Sequence, residues 1–295
     1  MNTLNTALET HLQSGVTTTC RCWALTRKDG EILGFTDHDG LLTFDGISFK
    51  ADTGLSALAL QQSTGLSVDN TEALGALSDA AITEDDIEAG RYDGAEIKAW
   101  LVNWQDTTQR HLQFRGTIGE LRRSGGAFEA ELRGLTEALN RPLGRIYQKP
   151  CTAVLGDTNC RFAIGALGYT VSRAVETLED RRIFGFAAFG GFDDGWFQHG
   201  RLIVLDGAAA GLTGVIKRDV ETSGIRNITL WHPIRAAIAA GDQVRIEAGC
   251  DKRAITCRLK FQNFLNYQGF PDIPGDDWSI SDPSRAGNLD GGSRR

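Results

Sequence analysis

The sequence predicts a mainly β protein built of sandwich or barrel subdomains with few short helices. Three observations lead there. The chain holds 35 glycines but only 6 prolines and one methionine, a composition that suits many short strands joined by tight turns. Asp-Gly pairs stand between apolar runs at Lys28-Asp29-Gly30 and Phe44-Asp45-Gly46, where two-residue hairpins belong. Phe128, Ala130 and Leu132 alternate with Glu129, Glu131 and Arg133, the period-2 signature of a strand with one buried and one wet face.

In chain order, Leu4, Leu8 and Leu12 recur at helical spacing, so residues 1–13 read as a short amphipathic helix with Thr3 as N-cap and Gly15 as stop. Cys20 to Phe49 reads as strands around the two Asp-Gly turns. Thr83 to Gly90 gathers acids at its start and closes on glycine, the pattern of one capped helical turn. Ala95 to Trp104 is strand-like, and Ser124-Gly125-Gly126 is a turn ahead of the alternating strand. Residues 16–140 thus suggest a sandwich or barrel. Leu135 to Leu143 is compatible with a brief helix, and Pro142, Gly144 and Pro150 punctuate the approach to Cys151. Gly200 to Asp206, Gly214 to Val220, Ile225 to Trp231 and Asp242 to Glu247 read as further strands of a small barrel. From Asp276 onward the chain is polar and glycine-rich, so it is expected to hang loose or to order against a neighbour.

At 295 residues the chain exceeds the size at which one core keeps growing, which implies two or three subdomains. The expected division is a β domain over 1–140, a base formed by 141–165 together with 249–275, a barrel inserted at 166–248, and a tail over 276–295. With 31 basic and 38 acidic side chains the net charge is -7. No Lys/Arg run exceeds two residues, so the chain lacks a surface suited to nucleic acid. No apolar stretch approaches the roughly 18 residues needed to span a bilayer. The first residues lack the basic start and apolar core of a secretory signal, so a reducing cytoplasm is the expected place of synthesis, where paired cysteines are more often ligands than disulfides.

Four of the six cysteines form two local pairs, Cys151-x8-Cys160 and Cys250-x6-Cys257, separated by 89 residues. Each pair lies in a polar, turn-rich setting, where backbone can loop around an ion and donate hydrogen bonds to sulfur. The residues alone leave three readings open: a metal site, inert buried thiols, or disulfides. Four thiolates without histidine fit tetrahedral zinc or a four-iron cluster. The gaps are long for zinc knuckles, which favours the cluster. Arg161, Lys252, Arg253 and Arg258 adjoin the ligands and would offset thiolate charge. Cys20 and Cys22 alternate with Arg21 on an apparent strand and read as core.

The run Gly249-Cys250-Asp251-Lys252-Arg253-Ala254-Ile255-Thr256-Cys257-Arg258-Leu259-Lys260-Phe261-Gln262-Asn263, followed by Asn266-Tyr267-Gln268-Gly269-Phe270-Pro271-Asp272-Ile273-Pro274-Gly275, resembles the C-terminal signature of phage baseplate hub proteins. That family includes the hub of gene transfer agents and, more distantly, the lambda tail-tip protein. Cys22 to Gly30, with Gly34-Phe35-Thr36-Asp37-His38-Asp39, resembles the opening of the same family. The resemblance implies a tail-hub-like fold and a virion protein, assembled in the bacterial cytoplasm and located at the tail tip or baseplate. It implies a homo-oligomeric ring, a trimer, contacting a distal tail protein and tail-fibre or central baseplate proteins. It further implies an iron–sulfur cluster, [4Fe-4S], on Cys151, Cys160, Cys250 and Cys257, with zinc as the alternative occupant. The rival function is a metal-containing tail-tip enzyme, either redox or cell-wall hydrolase.

The remaining chemistry reads blandly, and the chain is not expected to be an enzyme. Asp37-His38-Asp39-Gly40 is foremost a turn. The five histidines lack metal-site spacing, and no G-x-S-x-G elbow is present. Glu84, Asp85, Asp86 and Glu88 do not alternate as calcium ligands do, so they read as a helix start. The aromatic run Phe184, Phe186, Phe189, Phe192, Trp196 and Phe197 reads as core of the barrel, with an exposed contact surface as the alternative.

Overall fold

The computed structural model describes residues 4–51, 70–75, 83–124, 127–134, 144 and 146–273. The chain divides into two compact units, Met1–Leu143 and Gly144–Arg295.

The first unit opens with helix α1 (Thr6–Gln13). Its N-cap is Asn5, whose side chain accepts the Ala7 N–H; the expected cap, Thr3, lies outside the described residues. Leu8 is the fully buried member of the leucine stripe, and Gly15 ends the helix at a φ of 75°. Eight strands follow: β1 (Thr19–Thr26), β2 (Ile32–Thr36), β3 (Leu42–Phe44), β4 (Ile47–Lys50), β5 (Asn70–Gly75), β6 (Glu96–Asn103), β7 (Arg110–Ser124) and β8 (Ala127–Gly134). They join in one sheet ordered β3-β4-β2-β1-β6-β7-β8-β5, antiparallel except for the parallel β2/β4 pair. Hydrogen bonding links all eight strands in a single order, and with few short helices the chain is mainly β, as the sequence predicts.

The centre of this sheet is buried on both faces. Trp23 and Leu25 of β1 pack with Ile97 and Ala99 of β6, while Cys20, Cys22 and Ala24 turn the other way, onto Phe49, Trp100 and Val102. This is the period-2 geometry of a strand whose two sides both face apolar neighbours. Cys20 and Cys22 are accordingly core residues, as expected, and the Cys22 thiol donates to the Thr36 hydroxyl at 3.5 Å. The β3/β4 hairpin turns on Asp45 and Gly46, both at positive φ, which a type I′ turn requires.

Helix α2 (Glu84–Glu88) is capped by Thr83, whose hydroxyl accepts the Asp86 N–H. Its acids serve structure: Asp86 pairs with Arg91 at 2.8 Å and with the buried Arg27. The Asp37-His38-Asp39-Gly40 segment is a turn in which His38 Nδ1 accepts the Gly40 N–H. The expected helix over 135–143, the Gly125-Gly126 turn and the tail from 276 lie outside the described residues.

The second unit holds strands β9 (Thr170–Ala174), β10 (Thr177–Glu179), β11 (Ile183–Ala187), β12 (Arg201–Val204), β13 (Thr213–Thr222), β14 (Ile225–Leu230) and β15 (Gln243–Glu247). The sheet order is β10-β11-β14-β13-β12-β15-β9. Its two edge strands, β9 and β10, are separated by only Val175 and Glu176, so the sheet curls until its edges meet in sequence. Phe184, Phe186, Phe189 and Phe197 fill the interior with Leu202, Ile216, Ile228 and Val244, while Phe192 and Trp196 lie at its margin. Arg226 is also fully buried there. Its Nε lies 3.2 Å from Asp219 Oδ1, its Nη2 donates to the carbonyls of Phe192 and Asp193, and its guanidinium sits over the Phe189 and Phe197 rings.

Candidate metal centre

The pairing of β9 with β15 explains how the two cysteine pairs meet. The strands run antiparallel with Thr170 opposite Glu247, so the start of β9 and the end of β15 share one end of the sheet. Cys160 lies just before β9 and Cys250 just after β15. Cys257 follows on helix α3 (Ala254–Leu259). Cys151, Cys160, Cys250 and Cys257 all line one small cleft that opens to solvent. Each is a free thiol.

Local hydrogen bonds shape the turns that carry Cys160 and lead from Cys250 into α3. Asp157 accepts backbone N–H groups from Val154, Asn159 and Cys160 at 2.8, 2.9 and 2.6 Å, an Asx-type turn that presents Cys160. Those donors, Cys160 foremost, hold the Asp157 carboxyl below its ordinary range. Asp251 accepts the Arg253 N–H at 3.0 Å and the Thr256 hydroxyl at 2.9 Å. These bonds hold the turn leading into α3, whose N-cap, Arg253, provides no side-chain bond. Gly249 allows the chain to leave β15 against Gln198, because a Cβ there would fall 1.6 Å from the Gln198 carbonyl oxygen.

A second set of bonds laces the turns together. The Cys151 N–H donates to the Lys252 carbonyl at 2.9 Å, and the Lys252 ammonium donates to the Ala153 carbonyl. Tyr267 donates its hydroxyl to the carbonyls of Lys149 and Lys252 at 2.6 and 3.1 Å. The Gln268 N–H reaches Cys151 Sγ at 3.4 Å. Asn263 Nδ2 donates to the Cys160 carbonyl at 2.7 Å and reaches its Sγ at 3.5 Å. Gly269 permits this approach, since a Cβ on it would sit 2.5 Å from the Lys149 carbonyl oxygen. The residues Asn263, Tyr267 and Gln268 belong to the run that resembles the hub signature, but their ordinary chemistry gave no sequence signal of these roles.

Unpartnered thiolates would be costly in this cleft. Burial, followed by the charges of Cys250, Cys151 and Cys160, pushes the Cys257 thiol up to about 11. Burial also raises Cys250, against a backbone hydrogen bond and a charge contribution from Lys252. Of the four basic residues expected to offset that charge, Lys252 and Arg253 line the cleft. Arg258 instead lies over Phe264, and Arg161 donates to the Thr158 carbonyl. Lys260, one step beyond, is pushed down to about 8 by burial; it donates to the carbonyls of Trp196 and Gly249. Among the described residues, no three His, Cys, Asp or Glu side chains converge tightly enough to hold one bare metal ion. The donor set, all soft sulfur with N–H groups turned toward two of the four, fits a thiolate-bound centre.

The second unit thus gathers four cysteines at one end of its sheet. Residues 5–163 match the family described as baseplate hub protein, N-terminal attachment domain. Residues 195–277 match the family described as phage conserved hypothetical protein BR0599. The chain belongs to the baseplate hub protein family. It is similar to a chain in the structure of the virion of a native gene transfer agent particle, with 57% identity and a TM-score of 0.90, covering 98% of this chain and 99% of that one. No curated protein matches it. No helix of the described residues is long and apolar enough to cross a membrane.

Proposed function

We propose that the chain is a structural hub subunit of a tail baseplate, in a gene transfer agent or a siphophage-like tail, and that four cysteines brace it around a [4Fe-4S] cluster. The likeness to a gene transfer agent virion chain over nearly its full length carries the architectural part. On this reading the subunit forms a homotrimeric ring at the distal tail end, beside a distal tail protein and tail-fibre or central baseplate proteins. Its role is to hold shape rather than to catalyse.

The convergence of Cys151, Cys160, Cys250 and Cys257 on one cleft supports the cluster. A lone zinc needs its sulfurs about 2.3 Å from a single point. The gaps of eight and six residues within the two pairs are long for zinc knuckles, which favours the cluster. The cluster would supply a cross-link between the segments on either side of the barrel, and binding energy at such a site is folding energy.

Protein purified without oxygen tests both parts. The reading predicts a brown product with iron and acid-labile sulfide near four each per chain, and ring-shaped particles by electron microscopy. A colourless zinc protein rejects the cluster, and a monomer at all concentrations rejects the ring.

A further inference from the structure

Asn263 holds both halves of the cysteine site. Its backbone N–H donates to the Cys257 carbonyl at 3.0 Å, while its side-chain Nδ2 is forked between the Cys160 carbonyl and sulfur. Its Oδ1 accepts Asn266 Nδ2 at 2.7 Å. The Cys160 carbonyl, which can only accept, fixes which end of the carboxamide faces the cysteine. A flipped amide would set oxygen against the Cys160 carbonyl oxygen and an amino group against another amino group, losing both bonds. The Asn263 amino group is thus turned to Cys160 by the protein itself.

We propose that Asn263 is a positioning residue that tunes the donor strength of Cys160 and so raises the reduction potential of the centre this site holds. The inference rests on the iron–sulfur reading. An N–H donor withdraws electron density from a ligating sulfur, so the added electron of the reduced state is better tolerated and the potential rises. The Gln268 N–H acts on Cys151 in the same sense, but it is backbone. Asn263 is the side chain through which the effect can be changed by substitution.

The test begins with wild-type protein prepared without oxygen, in which iron and sulfide are counted before any variant is made. Asn263→Ala removes the donor; Asn263→Asp keeps the shape but sets a carboxylate beside the sulfur. Both are reconstituted with iron and sulfide and titrated potentiometrically with electron paramagnetic resonance as the readout. The midpoint should fall in the order wild type, N263A, N263D. At the wild-type midpoint the oxidised-to-reduced ratio should rise at least tenfold in N263D, about 59 mV for a one-electron couple. An unchanged midpoint in fully loaded variants overturns the inference. So does failure of both variants to take up iron, because Asn263 would then hold the centre rather than tune it. Wild-type protein without iron and sulfide instead brings down the cluster reading itself, and this inference with it.

Discussion

Replacing Cys250 and Cys257 together by alanine removes one whole pair of ligands and leaves the other in place. The two pairs flank a loop of roughly 90 residues, and cross-linking a loop of that length takes about 4–5 kcal/mol from the unfolded state in the chain-entropy description. The substitutions also delete sulfur from one buried and one half-buried position, at about 1 kcal/mol each. That second cost is present with or without a bound centre; the first exists only when the centre is loaded. For a unit the size of Gly144–Arg295, 1 kcal/mol moves the melting temperature by about 2–4 °C. The double variant should therefore lose about 8–20 °C beyond the shift it shows in chelator-stripped protein. Differential scanning calorimetry under argon, on loaded and stripped samples of both proteins, measures the difference directly. An equal shift in both states would refute the reasoning, since the cysteines would then act as packing residues alone.

Other perturbations reach different parts of the structure. Arg226→Met leaves Asp219 buried beside Phe197 with its cationic partner gone, and should destabilise the barrel by about 3–5 kcal/mol in urea unfolding; adding Asp219→Asn should restore part of the loss. Gly269→Ala drives a methyl into the Lys149 carbonyl and the Pro150 backbone, so iron content per chain should drop while far-ultraviolet dichroism stays unchanged. In stripped protein the raised Cys257 value gives a definite sign. Its folded pKa, about 11, exceeds the unfolded 9.0, so the contribution to stability is full below pH 9 and is lost as pH rises through 11. The same shift means that loading must release protons; metal uptake, followed with a pH indicator in weak buffer, should therefore tighten as pH rises from 6 to 8.

Local chemistry was legible in the sequence, and non-local pairing was not. The Asp45-Gly46 hairpin could be read because a type I′ turn demands two positive φ values, and few residue pairs supply them. The capped turn at Thr83 was readable for a similar reason. Near the N-terminus the structure caps α1 with Asn5, whose side chain accepts the Ala7 N–H, a competent cap that the leucine spacing alone does not single out. Arg226 was missed although its phase gave it away: it shares the inward face of β14 with Ile228 and Leu230. The strand order of the first unit, with its parallel β2/β4 pair, depends on contacts that no local pattern encodes. The four cysteines could be picked out as two pairs, but their meeting depends on the Thr170–Glu247 register. Asn263, Tyr267 and Gln268 stayed silent because amides and phenols occupy every kind of surface.

Anomalous diffraction at the iron edge, from crystals of protein handled without oxygen, addresses most directly whether these four side chains jointly enclose one centre. The account predicts a single strong peak bounded by the sulfurs of Cys151, Cys160, Cys250 and Cys257. A peak contacted by one pair alone, or none within bonding distance of any of them, would contradict it.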